Sequence, residues 1–158
     1  MLSSRQHMQF HEGSAASQLS TFLVDDLLFG VDVLCVQEVL RFQHMTPVPR
    51  APHVIEGLIN LRGQIVTALD MRRRLRLPPR KDNESPMNVV IRRTDGAVSL
   101  LVDEIGDVLH VDPSNYEAPP DNLDSETRKI VRSVYKLKDR LLLVLNEDVT
   151  VDLADCHA

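Results

Sequence analysis

An all-β fold is what the sequence predicts, and three observations carry the prediction. Short apolar runs rich in Val, Ile and Leu recur along most of the chain. Compact turn signals, among them Asp25-Asp26, Arg62-Gly63, Thr94-Asp95-Gly96 and Lys138-Asp139, separate neighbouring runs. Nine prolines fall almost entirely between the runs, where a missing backbone donor costs least. Strands at this spacing suit a barrel or sandwich. With 158 residues and 43% hydrophobic content, the chain can bury a sizeable core as one domain or as two small lobes.

The elements follow in order. Residues 1–18 are polar and read as a flexible tail with no secretory signal. Residues 19–24 and 28–33 pair as a hairpin across Asp25-Asp26, and residues 36–42 form a further strand. Pro47, Pro49 and Pro52 stiffen the next loop. Pro52 also suits the first position of a helical turn over residues 53–57, which Gly57 would end. Residues 58–61 and 64–69 are strands joined at Arg62-Gly63, the second buried on both faces. Asp70 caps a short surface helix over residues 71–77, and Pro78-Pro79 stop it. Residues 78–86 form a polar linker and mark the boundary between two lobes. Beyond it, residues 87–92 and 97–103 make a hairpin, and residues 106–111 another strand. A short helix begins near Asp124, and residues 133–137 pair with 140–145 as the last hairpin. No residue-level repeat relates the two halves.

Composition narrows the function. A net charge of −5 disfavours nucleic acid and anionic membrane surfaces as partners, because both need a basic face. No apolar run is long enough to cross a membrane, so a cytoplasmic protein is expected. The six glycines form no phosphate-binding loop, and no nucleophile elbow occurs. The six histidines have no companions at metal-ligand spacing, so no cofactor or metal is expected. Cys35 lies in an apolar run and reads as a buried, inert thiol; Cys156 lies near the end of the sequence. Asp103, Glu104 and Asp107 read as solvated turn carboxylates. Arg72, Arg73, Arg74 and Arg76, with Arg80 and Lys81 after them, read as the polar face of a short helix whose Met71, Leu75 and Leu77 face inward. A ligand- or RNA-binding β-barrel using those arginines is the competing reading, set back by the shortage of aromatics for base stacking. The chain therefore reads as a binding protein and no enzyme.

One stretch is more specific: Pro52-His53-Val54-Ile55-Glu56-Gly57-Leu58-Ile59-Asn60-Leu61-Arg62-Gly63-Gln64-Ile65-Val66-Thr67-Ala68-Leu69-Asp70. Asn60 can bond turn backbone, Gly63 lets the chain reverse, and Arg62 projects a planar cation from a rigid strand end. Such a group can dock on a partner's carboxylate or carbonyl, or it can bridge the two lobes structurally; both readings stand at this point.

In this segment the sequence resembles the CheW family of bacterial chemotaxis coupling proteins. Further pieces fall in that family's order: Phe29-Gly30-Val31-Asp32, Val36-Gln37-Glu38-Val39, Thr46-Pro47-Val48-Pro49, the run from Val102 through Asp107 to Leu109, and the run from Leu137 to Leu145. Two stretches differ from it. Val131-Arg132-Ser133-Val134 lacks a usual glycine, and an acidic, β-branched segment from Glu147 replaces an apolar C-terminal helix.

The resemblance implies two intertwined SH3-like five-stranded β-barrels sharing a hydrophobic core, with short helices, over residues 19–146, and a C-terminal tail over 147–158. It implies a non-enzymatic adaptor between the cytoplasmic tip of transmembrane chemoreceptors, the methyl-accepting chemotaxis proteins, and a CheA-type histidine kinase. A chemosensory pathway for surface motility or gene regulation fits the same resemblance. By analogy Val33, Val36, Glu38, Gly57, Asn60, Arg62 and Gly63 belong to the receptor- or kinase-facing surface. Val33 and Val36 would give a receptor helix an apolar floor, oriented by the charges of Glu38 and Arg62.

Overall fold

The computed structural model describes residues 18–152. The expected N-terminal tail, apart from Gln18, and the residues from 153 onward, Cys156 included, lie outside them. Ten strands account for nearly half of the described chain: β1 (Gln18–Val24), β2 (Leu27–Asp32), β3 (Val36–Leu40), β4 (Ile55–Leu61), β5 (Gln64–Asp70), β6 (Met87–Arg93), β7 (Gly96–Val102), β8 (Glu104–His110), β9 (Val131–Lys136) and β10 (Leu141–Leu145). Three short helices, α1 (Met71–Arg74), α2 (Ser125–Ile130) and α3 (Glu147–Thr150), and 3-10 turns at Val33–Cys35 and Pro113–Asn115 complete the described residues.

The strands form two five-stranded sheets, ordered β8-β1-β2-β10-β9 and β3-β6-β7-β5-β4. The first draws its strands from both ends of the described chain, and the second is inserted between them. The lobes are therefore intertwined, and the expected boundary at residues 78–86 is wrong. That segment joins α1 to β6 within the second sheet's span. The crossings between sheets lie at the 3-10 turn Val33–Cys35 and at Asp103.

Both sheets are built alike. Hairpins β1–β2 and β6–β7 each pair their second strand in parallel with the last strand of another hairpin, β10 and β5 respectively. In each sheet the chain leaving one outer strand bridges back to the opposite edge, through Thr46 to Leu58 in one and Glu117 to Val134 in the other. This correspondence exists between elements and has no residue repeat behind it.

Burial follows from that stacking. Phe22 and Phe29 (ring centroids 5.9 Å apart) pack from the first sheet in one core with Leu69, Val89, Ile91, Leu100 and Val102 of the second. Alternate residues face the other way: Val90 and Leu101 fill a smaller cluster in the second sheet, Leu142 and Val144 one in the first. Strands β6, β7 and β10 are thus apolar on both faces, which explains their unbroken hydrophobic runs. In β5 the expected two-sided burial fails at Ile65, which is 60% exposed.

Local chemistry sets several ends. Asp70 accepts from the Arg72 backbone N–H at 2.9 Å and caps α1 as expected. Asp124 does the same for α2 through the Glu126 N–H. The helical turn expected over residues 53–57 is instead a tight turn running into β4, with the Ile55 N–H donating to the Pro52 carbonyl. Gly57 consequently sits inside a strand. A Cβ there would lie 2.6 Å from the Thr46 carbonyl oxygen, so the glycine permits the Thr46–Leu58 bridge. Between β9 and β10 the register shifts around Arg132, forming a bulge without any glycine or positive φ. Residues 147–150 form the helical turn α3, anchored by buried Arg74, whose guanidinium donates to the Thr150 and Val149 carbonyls at 3.2 and 3.3 Å.

The crossing at Asp103 is held by charge. Arg72 grips Asp103 with contacts of 2.8 to 3.1 Å, and Arg80 reaches Asp103 at 2.8 Å and Asp70 at 3.1 Å. The Asp25 N–H, from the β1–β2 turn, donates to Asp103 at 2.6 Å. All four charged side chains are 10 to 13% exposed. The expectation of a solvated turn carboxylate at Asp103 is therefore overturned, and the arginines reach inward as well as outward. Burial pushes the Asp103 carboxyl up, but the hydrogen bonds from Arg72 and the Asp25 N–H and the charges of Arg80 and Arg72 outweigh it, leaving it below the ordinary carboxylate value.

Asp103→Asn strands buried guanidinium charge and should lower the unfolding free energy by about 3–5 kcal/mol at pH 7, measured by urea denaturation. Because the folded-state pKa is depressed, the ionised carboxylate's contribution is complete above the ordinary value of 3.8 and is lost as pH falls below it. Stability of the Asn variant should accordingly vary less with pH in that acid range. Gly57→Ala should cost about 1–3 kcal/mol by pushing the Thr46 backbone off β4, read in the same denaturation assay.

Candidate functional site

Four of the seven residues singled out in the sequence converge at one end of the second sheet. Arg62 and Gly63 form the two-residue turn between β4 and β5, with φ values of +50° and +87°, as a type I′ turn demands. The Asn60 side-chain oxygen accepts the Gly63 backbone N–H at 2.9 Å and locks that turn. Arg62 donates to the Glu38 carboxylate on β3. Since β3 and β4 are opposite edges of the sheet order, this contact requires the sheet to curl until its edges meet within side-chain reach. Gln37, the neighbour of Glu38 on β3, donates its side-chain amide to the Gln64 side-chain oxygen at the start of β5 at 3.3 Å, a second contact between β3 and this hairpin.

The Arg62 side chain is 72% exposed, whereas Glu38 is 19% exposed. Glu38 is the seated partner, and the guanidinium keeps most of its surface for a third group. Of the two readings of Arg62, a bridge between lobes does not occur, because Arg62 and Glu38 belong to the same sheet. Exposed ion pairs contribute little to folding, on the order of 0–1 kcal/mol.

The other three residues lie differently. Gly57 is buried toward the other end of β4, where it faces the Thr46 backbone and is not part of the Arg62 turn. Val33 is on the 3-10 turn and Val36 begins β3; both are half-buried, Val36 packing against the main core. Between them Leu34 projects, 75% exposed, with its carbonyl held by Arg92 at 3.1 Å. Ile65, next to Gln64, is the other strongly exposed aliphatic side chain nearby. Sequence reasoning missed both, because Leu34 sits in an apolar run and Ile65 in a strand that reads as buried. Their signal is exposure, at Leu34 on the turn that leads into β3 and at Ile65 just after the Arg62-Gly63 turn. The site combines a fixed cation, a seated carboxylate and apolar side chains on rigid backbone, which is binding chemistry.

Cys35 is half-buried, and its thiol is pushed up to about 11 by burial, then by Glu147 and Asp32, with Arg132 opposing, so it is a poor nucleophile. Among the described residues no group of three or more His, Cys, Asp or Glu side chains could hold a metal ion. The arginine run offers no continuous anion-binding face. Arg72 and Arg80 are spent on Asp103 and Asp70, Arg73 pairs with Glu56 at 2.6 Å, and Arg76 pairs with Glu126 at 3.2 Å.

Comparison with known proteins agrees with this architecture. The chain is similar to the chemotaxis protein CheW of Bacillus subtilis (strain 168), 28% identical over 141 residues, which cover 89% of this chain and 90% of that protein. It is likewise similar to the chemotaxis protein CheW of Rhizobium meliloti (strain 1021), 28% identical over 138 residues, 87% of this chain and 89% of that protein. Among solved structures it matches the scaffolding protein TtCheW from Thermoanaerobacter tengcongensis with a TM-score of 0.74 and 25% identity, covering 84% of this chain and 90% of that one. The model of the CheW-like domain matches residues 18–154, almost the whole chain, and the protein belongs to that family.

Proposed function

We propose that this protein couples the cytoplasmic tip of transmembrane chemoreceptors to a CheA-type histidine kinase. It is a non-enzymatic scaffold of the CheW-like family, and chemotaxis signalling is the role in which its relatives are named. The observation that carries the reading is the Arg62 guanidinium, held on a type I′ turn by Asn60 and Gly63, half-neutralised by Glu38 and otherwise open to a partner.

A receptor tip is helical, and a helix docks through an apolar stripe flanked by polar groups. Half-buried Val33 and Val36 and the exposed Leu34 and Ile65 supply apolar surface; Glu38 and Arg62 supply opposite charges that orient the guest. Asn60 and Gly63 hold the turn, and Gly57 admits the Thr46–Leu58 bridge on the same strand. No helix among the described residues is long and apolar enough to cross a membrane, so the scaffold would reach a membrane-associated array through its partners, from the cytoplasm.

Purified protein mixed with receptor cytoplasmic fragments and the kinase should co-sediment and raise kinase autophosphorylation. Arg62→Glu should weaken that assembly about tenfold or more by placing like charge beside Glu38 and reversing the field a partner meets. Its unfolding free energy should stay within about 1 kcal/mol of the parent, since the pair is exposed. An Arg62→Glu protein that assembles normally, or that unfolds, would refute the assignment. Leu34→Asp should reduce co-sedimentation while leaving the thermal midpoint unchanged, because that side chain contributes almost nothing to the core; a shifted midpoint would make Leu34 structural.

A further inference from the structure

The acidic segment from Glu147, one of the two stretches that differ from the family pattern, lies against the turn that carries Leu34. Its helical turn α3 is firmly seated. The Asn146 N–H donates to the Ile130 carbonyl at 2.7 Å, Thr150 is fully buried, and Val151 packs against the main core. Buried Arg74 holds the Val149 and Thr150 carbonyls. Asp148 instead stands outward, its side chain 83% exposed, and accepts from Arg93 at the end of β6 at 2.5 Å.

The residue before Arg93 reaches the turn itself. Arg92 donates to the Leu34 carbonyl at 3.1 Å, and the Leu34 N–H donates to the Asp32 side chain at 2.9 Å. Leu34 thus has both backbone groups tied while its side chain projects into solvent. Glu147 approaches from the other side and accepts from the Cys35 thiol; burial raises that thiol's pKa most, and Glu147 next. A closed circuit results, from Leu34 to Arg92, from the adjacent Arg93 to Asp148, and from the adjacent Glu147 back to Cys35. The 3-10 turn Val33–Cys35 has no fully buried side chain of its own, so contacts of this kind set where it sits.

We propose that α3 is a positioning element for the docking surface: Glu147 and the Asp148–Arg93 pair brace the Val33–Cys35 turn and fix where Leu34 meets a partner. This role presupposes the receptor-docking reading of that surface, and it adds that residues beside the surface set its affinity.

Three full-length proteins test it: the parent, Asp148→Arg, and a swap that combines Asp148→Arg with Arg93→Asp. Cys35 is the local reporter, because its alkylation by iodoacetamide, resolved from Cys156 by peptide mass spectrometry, quickens when the turn loosens. Binding is titrated with receptor cytoplasmic fragments. Asp148→Arg should speed Cys35 alkylation and weaken binding, each about threefold or more. Its thermal midpoint should stay unchanged, because Asp148 is exposed. The swap should restore both parental values. Faster alkylation with unchanged binding would overturn the proposal, as would alkylation at the parental rate or effects that the swap leaves unrepaired. A lowered midpoint would overturn it too, by making α3 a support of the whole fold. A parent that binds no receptor fragment, whatever its alkylation rate, would refute the receptor-docking reading, and this role with it.

Discussion

The rest of the structure depends on the charged joint at Asp103. The chain leaves the second sheet at Val102 and enters the first at Glu104, and the residue between carries a carboxylate held by two guanidiniums. Asp70 brings in the end of β5, Arg72 the start of α1, Arg80 the segment before β6, and the Asp25 N–H the β1–β2 turn. Four separated stretches are thereby pinned at one point. Buried ion pairs of this kind add little net stability over apolar packing, because desolvation offsets much of the attraction. Their effect is directional: apolar contact alone would tolerate sliding of one sheet over the other, whereas paired carboxylates and guanidiniums accept few geometries. The main core beneath, shared by Phe22, Phe29, Leu69 and Leu100, supplies the non-directional driving force.

A scaffold needs that rigidity. It performs no chemistry of its own, so whatever it does must come from holding surfaces at fixed relative positions. The Arg62 turn is stiff because Gly63 takes the positive φ that a reversal needs and Asn60 closes it with a hydrogen bond. Glu38 reaches the same turn from the opposite edge of its sheet, so the pair reports the curl of the whole sheet and cannot form in a flat one. Exposed aliphatic side chains around it would be a liability on an isolated monomer and make sense as a surface that a partner covers.

Much of this was legible in the sequence wherever the signal is local. The hairpin turns at Asp25-Asp26, Arg62-Gly63 and Thr94-Asp95 fall where the turn residues put them, and Asp70 caps α1 as its position suggests. The family resemblance carried the intertwined arrangement that residue patterns alone did not. What failed was non-local. Asp103 reads as a turn carboxylate because its partners lie 31 and 23 residues away. The lobe boundary at residues 78–86 reads as a linker because Arg80, polar in sequence, gives no hint that it is anchored inside. Residues 53–57 read as a helical turn from Pro52 and Gly57, and the bridge from Thr46 to Leu58 overrode that local preference. At Leu34 and Ile65 the surface is apolar, and no pattern of hydrophobicity separates an apolar docking surface from a core.

The central claim is that two intertwined sheets, joined at Asp103 over one core, form a single rigid body. Native-state hydrogen exchange across a series of denaturant concentrations tests it directly. The second sheet is one continuous stretch from β3 to β7 and would be free to open by itself if the joint were weak. On this account, the slowest amides of β2 and β10 in the first sheet and of β5 and β7 in the second converge on one opening free energy, equal to that of global unfolding. A lower free energy shared by the amides of β3 to β7, with β2 and β10 still protected, would contradict it.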